Sequence, residues 1–286
     1  MGNLRCYNAS FGATQSKIVH CCVCGIPPRP YALDYNGNSI SRCPKCGLRF
    51  VSPRPPLEAM LEHTYDTPYY GLDRPSDSRQ QARDCSGHLE RLHCWAKPPG
   101  RFLDIGAGDG TLLKAAREQG WQVEGVEMHP MLYDRYLKAI DCPIHTGPFE
   151  DLRLEGRFDA AAFVHVLEHV LDPKAFLLRC KASLRPGGTA YAVVPNTESL
   201  NDRVKTALSR WRLKSRPWKH FAADHHLWFF TPRTLRRLAV SAGLEVLSLE
   251  STHPDPSTWP GASLLKAGLS RASLAPWLCA VLRNTA

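Results

Sequence analysis

Apolar residues follow two rhythms in this chain, and the change between them marks its organisation. From Arg101 onward, short apolar runs alternate with stretches in which apolar residues recur every three or four positions. That is how strands separated by crossover helices are written, and it implies a parallel sheet. The runs predict strands at Arg101–Ile105, Gln122–Val126, Pro143–His145, Phe158–Phe163, Thr189–Val194 and Leu244–Leu249. Helical spacing is clearest over Asp109–Gln119, Pro173–Ser183 and Pro232–Ala242, the last opened by Thr231 as N-cap and Pro232 as first helical residue. Upstream, a polar helix is expected from Ser78 to Trp95, stopped by Pro98, Pro99 and Gly100, and a short one from about Leu57 to Thr64. After Pro260 an amphipathic stretch runs to about Arg283 and no convincing seventh strand follows it: either that strand is missing, or the tail is not the helix it resembles.

Residues 17–52 have neither rhythm. They are rich in Cys, Gly and Pro, and they hold Cys21-x-x-Cys24-Gly25 and Cys43-x-x-Cys46-Gly47 with 18 residues between the pairs. Two such knuckles set four thiolates around one tetrahedral zinc, and a segment this small needs the metal to fold. Cys22 competes with Cys21, yet only Cys21 leaves the two-residue gap. A closed four-cysteine site has no open coordination position, so its expected role is structural. The chain therefore divides into a zinc module (1–52), a helical linker or cap (53–99), a core (100–252) with a substrate lid at about 198–230, and a tail (253–286).

Composition changes this picture little. Of 286 residues 43% are hydrophobic, with no apolar run near the roughly 20 residues that span a bilayer. Met1–Ser10 lacks the apolar core of a secretory signal, so a reducing cytoplasm is the expected location. Eleven cysteines in that setting are metal ligands and free thiols and not a disulfide framework.

The chemistry gathers after the first core strand. Asp104-Ile-Gly106-Ala107-Gly108-Asp-Gly110 joins that strand to a helix through a turn in which glycine permits tight dihedrals and lets a ligand approach the backbone. The next strand ends at Glu127, 23 residues beyond Asp104, where a carboxylate can accept hydrogen bonds from both ribose hydroxyls of an adenosine cofactor. Dinucleotide enzymes share this logic.

The choice of cofactor comes from a resemblance. Leu103–Gly110, Val126-Glu127, Phe149-Glu150-Asp151, Phe158-Asp159, His165-Val-Leu-Glu-His-Val170, Leu184-Arg-Pro-Gly-Gly188 and Val194-Pro-Asn196 follow one another as in class I S-adenosylmethionine-dependent methyltransferases, and the chain resembles that family over about residues 100–250. The resemblance implies an α/β, Rossmann-like sheet with helices on both faces. It implies that Asp104, Gly106, Ala107, Gly108 and Gly110 surround the methionine part of S-adenosylmethionine, that Glu127 holds the ribose with Met128 beside it, and that Phe149 and Glu150 lie by the adenine. Pro148 stands where many relatives carry an aspartate.

Methyl transfer from a sulfonium needs alignment and, for a hydroxyl acceptor, a base. His165, Glu168 and His169 fall where the fourth strand ends. The region is similar to ubiquinone-pathway O-methyltransferases, whose Glu-x-x-Glu-His pattern binds a divalent metal. Here the first member is His165, which weakens the magnesium that the pattern implies. His165 is expected to line the methionine end of the cofactor. His169 reads as base or as a helix-start residue tied to backbone. His225, in Asp224-His-His-Leu-Trp-Phe-Phe230, reads as a catalytic or substrate-facing group, or as packing beside Trp228. Tyr65–Tyr70 reads as a fold over the cofactor or as packing.

The formal charge is +9, and Arg203–Lys219 alone holds seven basic residues and no acidic one. Two acceptor classes follow. One is a small molecule, anionic or glycosidic, methylated on oxygen under a basic lid: a sugar, glycolipid precursor or secondary metabolite. The other is RNA, gripped by zinc module and basic segment together. The wording of the motifs favours the first, and no Asn-Pro-Pro-Tyr-like motif supports the second. A cofactor-binding scaffold without turnover is the non-enzymatic reading. Trp211 and Trp218 within the segment suit a sugar ring, a base or peripheral contact with a membrane surface.

Overall fold

The computed structural model describes residues 17–54, 78–253 and 263–286, so the expected helix at 57–64 and the tyrosines of 65–70 lie outside the described residues. Among them, three short strands come first: β1 (Arg29–Leu33), β2 (Ser39–Arg42) and β3 (Arg49–Val51). Helix α1 (Ser78–His93) leads into β4 (Arg101–Ile105), α2 (Thr111–Glu118), β5 (Gln122–Glu127), β6 (Ile144–Thr146), β7 (Phe158–Val164), α3 (Pro173–Ser183), β8 (Leu184–Pro195) and α4 (Leu200–Arg210). The chain closes with β9 (Trp228–Phe229), α5 (Pro232–Ser241), β10 (Leu244–Thr252), α6 (Ser263–Arg271) and β11 (Trp277–Asn284).

Seven strands make the main sheet, in the order β10-β11-β8-β7-β4-β5-β6. Strands β4 to β8 run parallel, so the carboxyl ends of β4, β5, β7 and β8 share one edge. Alternation along each strand feeds two cores. Phe102 packs on one face with Leu89 and Leu92 of α1 and Leu112, Leu113 and Ala116 of α2. Leu103 and Ile105 pack on the other with Phe176 and Leu177 of α3 and Leu235 and Leu238 of α5. Helices therefore cover both faces, as expected, and all six predicted strands form at or within a few residues of their predicted bounds.

The tail corrects the sequence reading. Only Ser263–Arg271 is helix, and Trp277–Asn284 is a seventh strand, inserted antiparallel between β8 and β10. Its run Trp-Leu-Cys-Ala-Val-Leu lies inside the sheet with both faces covered, so it shows no polar alternation, and periodicity cannot tell such a run from buried helix. Asn284 anchors its end by donating to the carbonyls of Lys181, Leu184 and Arg185. Asn196 anchors its start by donating to those of Ser273 and Ala275.

The cysteine module is sewn to this core. Strands β1, β2 and β3 form an antiparallel sheet whose fourth member is β9, contributed by the segment before α5. Phe50 packs against Trp228 with the rings tilted by 36° and 5.1 Å between centroids, and the Arg54 guanidinium lies over the Trp228 ring at 4.6 Å while donating to the Leu171 carbonyl. Module and core share one buried cluster. Because Phe50 is fully buried across that seam, Phe50→Ala is expected to lower unfolding free energy by about 3–5 kcal/mol and to move module and core together in one denaturant transition. Two separate transitions in the wild type would contradict the shared core.

Candidate functional site

At the carboxyl end of β4 the chain turns through Gly106, Gly108 and Gly110, all with positive φ (81°, 56° and 76°). Side chains at Gly106 and Gly110 would collide with Val166 and Ile140, whereas a Cβ at Gly108 would have nothing nearer than 3.9 Å. The turn is thus packed from behind and open at its middle. The amides of Gly106 and Ala107 donate to the Val126 carbonyl at 2.8 and 2.9 Å, tying the turn to the end of β5.

Glu127 ends β5 with its carboxylate buried. One oxygen accepts from the Gly108 amide and the other from the His129 amide, each at 2.9 Å. A carboxylate offers about four lone-pair positions, so each oxygen keeps one for a ligand hydroxyl. Asp104, at the start of the turn, is buried, and desolvation followed by the charges of Glu127 and Asp109 pushes its carboxyl up to about 8. This end of the cleft therefore favours a cationic ligand group. Met128 stays partly exposed beside Glu127. Phe149 is buried against Phe176 with ring centroids 5.2 Å apart, and Glu150 is exposed next to it.

The end of β7 supplies the second half. His165 sits at φ 55°, a left-handed backbone that a non-glycine residue rarely adopts, with its ring edge-on to Trp277 at 5.0 Å. Its Nδ1 lies 3.1 Å from Glu168 Oε1, and its Nε2 is buried with no hydrogen-bond partner. Glu168 is fully buried. Burial alone would raise its pKa, but the hydrogen bond from His165 and the electrostatic influence of the surrounding imidazoles of His165, His169 and His226 hold it below the ordinary carboxylate value. Ionised, it makes His165 Nδ1 the protonated nitrogen and leaves Nε2 as an acceptor. Its other oxygen, Oε2, also has no partner.

His169 Nδ1 donates to the His225 carbonyl at 3.0 Å, and its Nε2 lies 3.9 Å from Glu168 Oε1. Burial lowers the pKa of His169, and it pushes His226 down to about 3, so both are neutral at physiological pH. The His225 and His169 rings stack at 6.0 Å, and His225 Nδ1 lies 3.3 Å from Asp224. The structure thus brings together His165, Glu168, His169 and His225, all singled out in the sequence, and joins to them His226, which the sequence reading did not assign a role. Donor atoms of Glu168, His169 and His226 lie within 4.8 Å of one another. One carboxylate with two imidazoles is not the oxygen shell that magnesium takes, so these residues do not fit that ion.

Across the seam, the sulfurs of Cys21, Cys24, Cys43 and Cys46 also lie within 4.8 Å of one another, with Cys21 and Cys46 at 3.5 Å. The two knuckles match: Gly25 and Gly47 have positive φ and donate to the Cys21 and Cys43 carbonyls. Cys22 is outside the cluster.

A methyltransferase-domain family matches residues 78–249. A ubiquinone biosynthesis O-methyltransferase of Xanthomonas campestris pv. campestris is 36% identical over 103 residues, which are 34% of this chain and 43% of that enzyme. Another so named, from Xanthomonas axonopodis pv. citri, is 33% identical over 166 residues, 55% of this chain and 68% of that enzyme. Thus the chain spans less than half the length of the first relative. The crystal structure of a Burkholderia thailandensis 1,6-didemethyltoxoflavin-N1-methyltransferase, solved with 1,6-didemethyltoxoflavin and S-adenosylhomocysteine, shares the fold with a TM-score of 0.52 and 18% identity, covering 90% of this chain and all of that one.

The raised Asp104 carboxyl makes a prediction about the ligand-free chain. A proton held when folded and released when unfolded means that stability falls as pH rises from the ordinary value near 3.8 toward about 8. Asp104→Asn removes that loss, so its gain in melting temperature over wild type should grow across this window and level off above it. A gain independent of pH would contradict the assignment.

Proposed function

The chain belongs to the methyltransferase-domain family, the class I S-adenosylmethionine-dependent enzymes, and from that premise we propose that it methylates an oxygen of a small-molecule acceptor such as a sugar, glycolipid precursor or secondary metabolite. The observation that carries the cofactor half is the Glu127 carboxylate, held by two backbone amides beside a glycine turn that is open at Gly108. In this reading Asp104, Gly106, Ala107, Gly108 and Gly110 enclose the methionine portion with His165 at its far end, Glu127 binds the ribose hydroxyls, and Met128, Phe149 and Glu150 border the adenine. When bound, S-adenosylmethionine supplies an electrophilic methyl group. Oxygen as the acceptor atom is supported by the names of the relatives, which are O-methyltransferases.

His169 is the proposed base. Its Nδ1–H is fixed on the His225 carbonyl, which sets the orientation of the ring, and its lowered pKa keeps it a neutral imidazole, the form in which a general base acts. His225 forms the adjoining wall on the acceptor side. One observation favours a second seat for that proton: His165 Nε2 is a buried acceptor without a donor, backed by Glu168. The four clustered cysteines hold a structural zinc in this reading. Zinc–sulfur bonds of about 2.3 Å put tetrahedral sulfurs about 3.8 Å apart, close to the 3.5 Å between Cys21 and Cys46.

The direct test is transfer of an isotope-labelled methyl from S-adenosylmethionine into fractionated small molecules and RNA. Label is expected in a small-molecule fraction, and label confined to RNA would overturn the acceptor class. Glu127→Ala should weaken cofactor binding by at least about tenfold, and unchanged affinity would remove the ribose role. His169→Asn should lower turnover by about 10²–10⁴-fold at unchanged cofactor affinity; if His165→Asn does so instead, the base is His165. For the module, elemental analysis should find one zinc per chain, lost in Cys43→Ser together with a lower melting temperature, and a metal-free wild type would refute it.

A further inference from the structure

Helix α4 is built inside out. Its inward face is polar: Ser209 is buried, accepts from the Trp218 amide at 3.0 Å and donates to the Lys205 carbonyl, and Thr206 meets His220 Nε2 at 2.9 Å. Asp202 lies on the same side, its amide capped by Ser199. The opposite side carries Leu200, Val204, Ala207 and Trp211, spaced by four, three and four residues, which is one stripe on a helix. A globular helix turns such a stripe toward its core. Here Leu200 is 46% exposed, Val204 50% and Trp211 70%, and Leu213 just beyond is 67% exposed. Exposed Arg203, Arg210, Arg212, Arg216 and Lys219 lie beside and beyond this stripe.

We propose that this face of α4, with the basic segment that follows it, docks the protein onto an anionic lipid bilayer. The argument is one of complementarity. Seven basic residues with no acidic one between Arg203 and Lys219 select a negatively charged partner and oppose a second copy of the same face. Phosphate alone would satisfy the arginines but would leave Leu200, Val204 and Leu213 in water. A helix lying in the interface buries such side chains roughly 5–10 Å deep while its cations remain among the headgroups. No helix among the described residues is long and apolar enough to cross a membrane, so the attachment is peripheral. Helix α4 follows β8 at the edge where the glycine turn and the histidines lie, so docking brings the mouth of the cleft to the lipid surface. The proposal does not depend on which acceptor is methylated.

Flotation of the full chain with phosphatidylcholine vesicles, with and without phosphatidylglycerol, tests it. Wild type is expected to float with the anionic vesicles only, and less at high salt. Val204→Asp with Trp211→Ser, and separately Arg210→Glu with Arg212→Glu, should each weaken this by at least about tenfold at an unchanged melting temperature, while Val204→Leu with Trp211→Phe retains it. Failure to float with anionic vesicles at low salt overturns the proposal. So does flotation that needs the arginines but is indifferent to Val204→Asp with Trp211→Ser, because a polyanion of any kind would then suffice.

Discussion

Two backbone amides, of Gly108 and His129, converge on the buried carboxylate of Glu127, and much of the core exists to bring them there. The Gly108 amide comes from the turn after β4 and the His129 amide from the start of the helical turn after β5, so the carboxylate fastens two neighbouring strand ends to each other. That is possible only if β4 and β5 are parallel and adjacent, and if the turn can adopt three left-handed residues in five. Burying a carboxylate is costly unless it is hydrogen-bonded. Here the two donors offset part of that cost and still leave each oxygen able to accept. Asp104 nearby has no comparable relief and is pushed toward its neutral form. The cleft therefore begins with a local excess of negative charge, which a sulfonium or ammonium would neutralise.

The same logic links the distant cysteine module to the histidines. Strand β9 belongs to the module's sheet through β3, and the amides of Leu227 and Trp228 at its start donate to the Glu168 carbonyl at 2.8 and 3.2 Å. Two residues earlier, the His225 carbonyl fixes His169. The module thus holds one end of the short segment whose other end orients the imidazoles. The connection between the four-sulfur cluster and the imidazoles therefore runs through backbone hydrogen bonds at the start of β9.

What was legible in the sequence depended on whether a feature had a local signature. Strands β4 to β8 and the helices between them follow from period alone, since each has one partner face or a clear terminal signal such as Thr231-Pro232. The knuckles were legible because each Cys-x-x-Cys-Gly turn is local in sequence, and the structure brings their four sulfurs together. Strand β11 was not, because its register inside the sheet depends on β8 and β10, which lie about 90 and 30 residues away in sequence, and its full burial erased the alternation that marks a strand. The meeting of His226 with Glu168 escaped for a related reason. They come together only when the segment before β9 folds against β7, a contact between residues nearly 60 apart in sequence. The ring of Phe149 packs against Phe176, a contact with a residue 27 positions away that no local signature announces.

Helix α4 shows the limit of periodicity from the other side. Its stripe of Leu200, Val204, Ala207 and Trp211 is plain in the sequence, yet a stripe says only that one face differs from the other, not which face meets the protein. The deciding information is where the polar side chains find partners. Ser209 and Thr206 are satisfied inward, by the Trp218 amide and by His220, so the helix is held to the body by hydrogen bonds and its apolar side is left over. Leaving such a stripe in water has a hydrophobic cost that grows with its area, and nothing among the packed elements offsets it. Among the described residues no packed element supplies that offset, and the arginines that flank the stripe favour an anionic partner.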